Sequence, residues 1–365
     1  MKRCFVLLLA VCILLSGCSS WLDGSYVSTV PHQEQEGSAE SQLQAVSSYA
    51  GLYRALKSMV RNVTESGLMS VANYNQLVIA RDMRIAVQSI KTTDPIGVYA
   101  VEDITFELGT NAGKPAISVD IQYIHDRTEI QNIRTVNKMA VAENAIAEAL
   151  DNCSSGLVLH IEHYEERDFV QWVDDYADQN PERVMEAPQV TANLYPQTGE
   201  ERLLELKFTY QNSRDALRIM QTQVSERFTE MISQIRQQET IRDQYMVTYT
   251  YLMELFQEYQ PETSITPAYM LLLHGVGDSS AFATVYSAVC RKHGLENIVV
   301  TGTRDGVPWS WNIICLDGVY YHVDLLRSIQ EGSFREFVDA DMSGYVWDYS
   351  AYPACGVLPE PTAEE

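Results

Sequence analysis

Ile117, Val119, Ile121 and Tyr123 alternate with polar residues, the period-two pattern of a half-buried strand, and Leu204, Leu206, Phe208 and Tyr210 repeat it 87 positions later. Both strands lead into helices at matching offsets, Arg127 corresponding to Arg214 and Ile130 to Leu217. Before them, strands at 103–108 and 189–195 pair back through turns that contain Gly113 and Gly199. Further upstream Met83, Val87 and Ile90 recur as Phe169, Val173 and Tyr176, spacings of four and three that mark one helix face. Those helices stop near Asp94-Pro95 and Asn180-Pro181, because the residue before a proline is pushed out of the helical region. The chain is therefore predicted to hold two tandem β-α-β-β-α units, at about 70–150 and 155–237, within a duplicated α+β region spanning 45–237. Leu77 to Ala80 is expected to open the first unit as a strand and Leu157 to Tyr164 the second, with a further helix around Tyr53, Leu56 and Met59 ahead of both. No polar cluster suited to catalysis occurs there. His125, His160 and His163 are scattered, and His160 is expected to alternate with Glu162 on the solvated side of its strand.

The N-terminus has a different character. Lys2 and Arg3 precede an apolar run from Cys4 to Leu15, which is too short to span a bilayer as a mature helix and reads as a signal peptide over 1–17. Leu15-Ser16-Gly17-Cys18 then resembles the lipobox of bacterial lipoproteins. That resemblance implies a mature N-terminus at Cys18, diacylated on its thiol, and hence a protein lipid-anchored to the extracytoplasmic face of a cell membrane. Residues 18–44 are poor in apolar side chains and lack periodicity, as expected of a flexible tether.

Forty-nine acidic residues against 26 basic ones give a net charge of -23. A surface of that sign repels phosphate backbones and excludes nucleic acid as an expected partner. Beyond Cys4, Cys12 and Cys18 the chain holds Cys153, Cys290, Cys315 and Cys355, none at metal-ligand spacing. Four such cysteines allow three disulfide pairings, but the apolar flanks of Cys290 and Cys315 favour buried free thiols. Neither metal nor cofactor is implied.

Over 238–357 the pattern changes again. Ile241, Tyr245, Thr248, Leu252 and Phe256 line one face of a helix that ends before Pro261. Gly277-Asp278-Ser279 then opens a helix that runs to Lys292 and stops at Gly294-Leu295. Strands follow at 298–302, 309–316 and 319–325, carrying Val300-Thr301-Gly302, Trp309-Ser310-Trp311-Asn312 and Tyr321-His322-Val323-Asp324. This order resembles the transglutaminase-like superfamily, whose papain-like Cys-His-Asp members open that helix with Gly-x-Cys and carry His-x-Trp-Asn and Tyr-x-x-Asp on the strands. The resemblance implies a transglutaminase-like α+β domain over 238–357, with a tail at 358–365. It places Ser279, Trp309 and Asp324 at the three catalytic positions.

Two of those positions have changed. A cysteine at a helix N-terminus is held as thiolate by free N–H groups and by the dipole, and an adjacent imidazole takes its proton. The Ser279 hydroxyl is a poor nucleophile without a base, and the Trp309 indole can only donate. Loss of a nucleophile–base pair typically costs about a million-fold in rate. His322 and His274 are the nearest substitutes in sequence, but neither spacing sets an imidazole between a nucleophile and its orienter. The expectation is a pseudoenzyme whose emptied cleft, lined by Trp309, Trp311, Asn312 and Asp324, binds a cell-envelope peptide, glycan or protein. Against it stand a hydrolase or transferase acting through Ser279, and a Trp309 that merely plugs the cleft as core. The acidic-aromatic segment Asp339, Asp341, Tyr345, Trp347, Asp348, Tyr349 and Tyr352 is expected to wall the same cleft.

Overall fold

A computed structural model describes residues 44–357; the expected signal peptide, the expected lipidation site Cys18, most of the expected tether and the tail at 358–365 lie outside the described residues. The described chain is mixed α+β, with three four-stranded sheets and one two-stranded ladder. Among these residues no helix is long and apolar enough to cross a membrane.

The first sheet has the order β1 (Gln44–Ala45), β2 (Ser66–Ser70), β4 (Lys114–Tyr123), β3 (Val101–Asn111). Three helices accompany it before the chain leaves through α4 (Arg127–Gln131): α1 (Tyr49–Arg61), α2 (Ile79–Thr92) and α3 (Pro95–Ala100). The second sheet repeats the order as β5 (Arg134–Val136), β6 (Gly156–Ile161), β8 (Arg202–Thr209), β7 (Gln189–Tyr195), with α5 (Met139–Asp151) and α6 (Phe169–Gln179). Both sheets open with a parallel pair and then run antiparallel.

Particular residues correspond as well. Asn62 and Asn152 follow α1 and α5, each succeeded by a residue held at positive φ, Val63 at 51° and Cys153 at 49°. Arg127 donates to the Val63 carbonyl at 2.9 Å, and Arg214 to the Asn152 carbonyl, one position earlier in its own turn, at 3.1 Å.

Two expectations are corrected here. Leu77 to Ala80 is not a strand: Asn75 Oδ1 accepts from the Leu77 amide in a turn, Leu77 is 94% exposed, and Ile79 starts α2. In sheet order, β1 and β2 of the first sheet stand where β5 and β6 stand in the second. His160 is not on a solvated face either, being 1% exposed while Glu162 is exposed. Its strand lies between β5 and β8, and the buried imidazole is satisfied by Glu201 at 2.8 Å.

The long helix α7 (Arg214–Ile235) leads into α8 (Ile241–Leu255), β9 (Glu258–Tyr259), α9 (Pro267–His274), β10 (Val276–Gly277) and α10 (Ser279–Lys292). Tyr245, Thr248, Tyr249 and Leu252 are the buried stripe of α8, whereas Ile241 is exposed. The third sheet is β13 (Val319–Val323), β12 (Val307–Leu316), β11 (Asn297–Arg304), β14 (Tyr345–Val346), and α11 (Leu325–Glu331) follows β13. One apolar core joins α7, α8, α9 and α10 to this sheet through Phe228, Tyr245, Leu271, Phe282, Tyr286 and Ile314. Burial of side chains of this size contributes roughly 1.5–3 kcal/mol each, which fixes α10 against β12.

Candidate functional site

Asp278 is the N-cap of α10. Its Oδ1 accepts from the Ala281 amide at 2.8 Å and its Oδ2 from Thr263 Oγ1 at 2.5 Å, so both carboxylate oxygens are engaged away from the neighbouring hydroxyl. Ser279 is the first helical residue and is 7% exposed. Its Oγ accepts from the Ser310 amide of β12 at 3.1 Å, and among the described residues no imidazole or amine is hydrogen-bonded to it. The helix–strand packing thus brings Ser279 against Ser310, the neighbour of Trp309 on β12.

Asp324 lies just past β13, where it N-caps α11 instead of continuing the strand, and is 1% exposed. Oδ1 accepts from the Arg327 amide at 3.0 Å. Oδ2 accepts from Trp309 Nε1 at 2.8 Å and from the Tyr345 hydroxyl at 2.5 Å, with the Arg304 guanidinium at 3.8 Å. Burial, then the adjacent Asp324 charge, raises the Tyr345 phenol above its ordinary range, which keeps it a neutral donor. The indole therefore supplies the ring N–H that an imidazole would offer the carboxylate, but no lone pair with which to accept a proton.

Trp311 shares the Trp309 face of β12 and makes a parallel contact. Its Nε1 donates to His322 Nδ1 at 2.9 Å. An accepting Nδ1 carries no proton, so the neutral ring holds its proton on Nε2 and donates it to Asp339 Oδ1 at 2.9 Å. Burial lowers the His322 pKa, with Asp339 opposing in part. His322, at 0% exposure, is committed to Trp311 and Asp339 rather than to Ser279.

His322, Asp339 and Cys355 place ligand atoms within 4.8 Å of one another. A metal-bound imidazole donates its remote N–H to an acceptor, whereas here the remote nitrogen accepts from an indole. Burial, with Asp339 beside it, also pushes the metal-free Cys355 thiol up to about 12. As arranged, both ring nitrogens of His322 are already engaged, one by Trp311 and the other by Asp339.

Of the four expected cleft residues, Trp309 alone keeps a substantial surface. Trp311 is 1% exposed and packs edge-on against Tyr345 and Trp347. Asn312 is 0% exposed, its amide donating to the Ala283 carbonyl at 2.9 Å and to Asn297 Oδ1 at 2.8 Å. These two and the buried Asp324 build the domain rather than a ligand surface. Trp309 is half-buried, with Tyr259 at 6.1 Å between ring centroids and the Arg304 guanidinium at 5.2 Å.

The acidic-aromatic segment reaches this region through Tyr345, Trp347 and Asp339. Arg304 and Tyr259 carried no sequence signal, since an arginine at a hairpin turn and a tyrosine in a two-residue strand look like surface. The described cavities of about 650 and 730 Å³ are lined by neither Ser279, Trp309 nor Asp324. All four cysteines among the described residues are free thiols; Cys153, Cys290 and Cys355 are buried, while Cys315 is half-buried rather than fully so.

No family model matches the chain, and no curated protein matches it. Among solved structures it is similar to a TGase at 12% identity and a TM-score of 0.26, covering 47% of this chain and 50% of that one. It is also similar to a candidate cysteine protease from Cytophaga hutchinsonii at 11% identity and a TM-score of 0.25, covering 44% of this chain and 70% of that one. A third, a candidate protease from Parabacteroides distasonis, gives 9% identity and a TM-score of 0.23 over 70% of this chain and 39% of that one. The chain spans about half the length of the TGase. At such scores the chemistry of the site rests on its own geometry.

Proposed function

We propose that this protein is an extracytoplasmic lipoprotein, anchored through Cys18, whose region 238–357 is a transglutaminase-like domain that binds without catalysing. The observation that carries the non-catalytic part is the 2.8 Å bond from Trp309 Nε1 to Asp324 Oδ2. It sets a donor-only ring where a general base would stand, beside a Ser279 hydroxyl whose hydrogen-bond partner is an amide. The two like-ordered sheets of 44–213 are, on this reading, tandem copies of one α+β module that display or space the domain. Its ligands are cell-envelope peptides, glycans or proteins, and no cofactor takes part.

The reading is tested with the full protein expressed in bacteria and fed an alkyne fatty acid, then solubilised and used to capture envelope fragments. Wild type takes up label that Cys18→Ala loses, and the captured material is released with unchanged mass. Equal labelling of the two proteins overturns the anchor, and recovery of cleaved or crosslinked material overturns the non-catalytic assignment.

A further inference from the structure

Charge is distributed unevenly along the chain. Residues 44–92 hold six basic side chains and two acidic ones, a net charge of +4, whereas the whole chain carries -23. The basic residues lie on α1 and α2, which share one core with β2, β3 and β4. Leu52, Leu56 and Met59 belong to the buried stripe of α1, and Met83, Ala86 and Ile90 to that of α2. At about 3.6 residues per turn, Arg54 and Arg61 fall opposite the first stripe and Arg81 and Arg84 opposite the second, so all four look away from the sheet. The acids nearby do not neutralise this face. Buried Asp82 pairs with Arg81 at 3.0 Å and accepts from Tyr74 at 2.9 Å, while Lys57 and Lys91 are paired with Asp94 and Asp103. Arg54, Arg61 and Arg84 are exposed and form no ion pair among the described residues.

Two further observations point to what covers the face. Leu77, in the turn before α2, is 94% exposed, and Tyr49 at the start of α1 is exposed as well. Apolar and aromatic side chains at the edge of a basic helical surface suit the boundary between lipid headgroups and acyl chains. The second observation is where the chain enters. Gln44 and Ala45 pair with Met69 and Ser70 at the end of β2, the end from which the chain runs on to Leu77 and beside which α1 begins. Cys18 is 26 positions before Gln44, a separation that an extended chain spans in at most about 90 Å. A bilayer holding acyl chains on Cys18 therefore lies within reach of this end of the molecule.

We propose that the α1–α2 face docks on an anionic phospholipid surface, with Arg54, Arg61, Arg81 and Arg84 against the phosphodiester headgroups and Leu77 in the interface. The choice of a membrane as partner rests on the reading of Cys18 as a lipid anchor. The acidic remainder of the chain is repelled by the same surface, so the docked face also sets the orientation of the protein.

Vesicle cosedimentation tests it, with the chain from residue 18 carrying Cys18→Ala, so that neither acyl chains nor the apolar run at 4–15 can bind lipid. Saturable binding to phosphatidylglycerol vesicles is expected, and none to phosphatidylcholine vesicles. Binding is expected to fall at least ten-fold between about 50 and about 300 mM salt, because screening shortens the reach of the charges. Arg54→Glu with Arg84→Glu is expected to weaken it at least ten-fold and Leu77→Ser at least three-fold. Arg236→Glu, at an exposed arginine that ends α7, is expected to leave it unchanged. Should the double variant fail to fold, Arg84→Gln carries the test, with a loss of at least two-fold. Absence of binding to phosphatidylglycerol overturns the proposal, as do equal binding to the two kinds of vesicle, equal weakening by Arg236→Glu and the double variant, and full binding by Leu77→Ser. Since no acyl chain is present, this assay can fail while fatty-acid labelling of Cys18 succeeds, which would remove the docking face and keep the anchor.

Discussion

Trp309 donates its indole N–H to the buried carboxylate of Asp324 across 2.8 Å. Two positions along β12, Trp311 does the same toward His322 at 2.9 Å, so two neighbouring indoles hold the two polar groups at the end of β13. Asp324 is the more demanding of the two, since it is buried with only Arg304, at 3.8 Å, as a nearby cation. Its donors are Trp309, Tyr345 and the Arg327 amide, and each is expected to matter.

Replacing Trp309 by phenylalanine keeps most of the ring volume and removes the donor. A hydrogen bond to a charged group contributes about 1.5–3 kcal/mol, so urea denaturation of Trp309→Phe is expected to show a loss in that range. Trp309→His, which retains a ring N–H, is expected to lose less. Equal losses in the two variants would mean that Trp309 serves by packing alone.

The pH dependence follows from two buried histidines. His160 and His322 both have pKa values lowered, chiefly by burial. Below an unfolded value of about 6.5 the unfolded chain therefore binds protons that the folded chain refuses. Their contribution to stability is complete above that pH and is lost as pH falls through 6.5 toward the folded values. Melting temperature is expected to decline between about pH 7 and 5, and less steeply in His322→Gln than in wild type. An unchanged slope in that variant would remove His322 from the account.

Gly302 sits where β11 meets β14, and a Cβ there would lie 2.3 Å from the Val346 carbonyl oxygen. Since β14 carries Tyr345, Gly302→Ala is expected to shift this seam and cost about 1–3 kcal/mol, as overpacking does. Gly109→Ala, which meets nothing within 4 Å, is the control and is expected to cost far less. Similar melting temperatures for the two would show that the seam yields freely.

Thiol reactivity should sort by burial. Cys290, Cys355 and Cys153 are buried, and burial raises the pKa of each. Cys315 is half-buried, and desolvation, followed by the nearby Glu296 charge, raises its thiol. Among these four, mass spectrometry after brief alkylation at pH 7 is expected to find Cys315 modified first. Prior modification of Cys290 would require α10 to open locally.

Periodicity carried the sequence reading a long way, and its failures have physical causes. The 117–123 and 204–210 strands, the α8 stripe and the start of α10 at Ser279 were legible because apolar spacing and caps are local signals. The run Leu77-Val78-Ile79 misled because three consecutive apolar residues fit a short strand and a first helical turn equally well; the Asn75 turn decides it. His160 misled because alternation assigns a residue to a face, not to solvent, and the burial of that face depends on distant elements. Similarly, Trp311 and Asn312 sit beside Trp309 in sequence but are consumed by Trp347, His322 and Asn297. The roles of Arg304 and Tyr345 at Asp324 arise from pairing of β11 with β14, a contact across about 40 residues that no local pattern announces.

The proposed account turns on whether Ser279, whose hydroxyl accepts from the Ser310 amide and has no imidazole or amine bonded to it among the described residues, performs chemistry. The most direct measurement is release of ammonia or amine from a glutaminyl peptide by the full protein, side by side with Ser279→Ala and with buffer. The rate for wild type is expected to equal that of Ser279→Ala and to lie within error of the buffer rate. A rate above buffer that disappears in Ser279→Ala would contradict the account and make Ser279 a nucleophile.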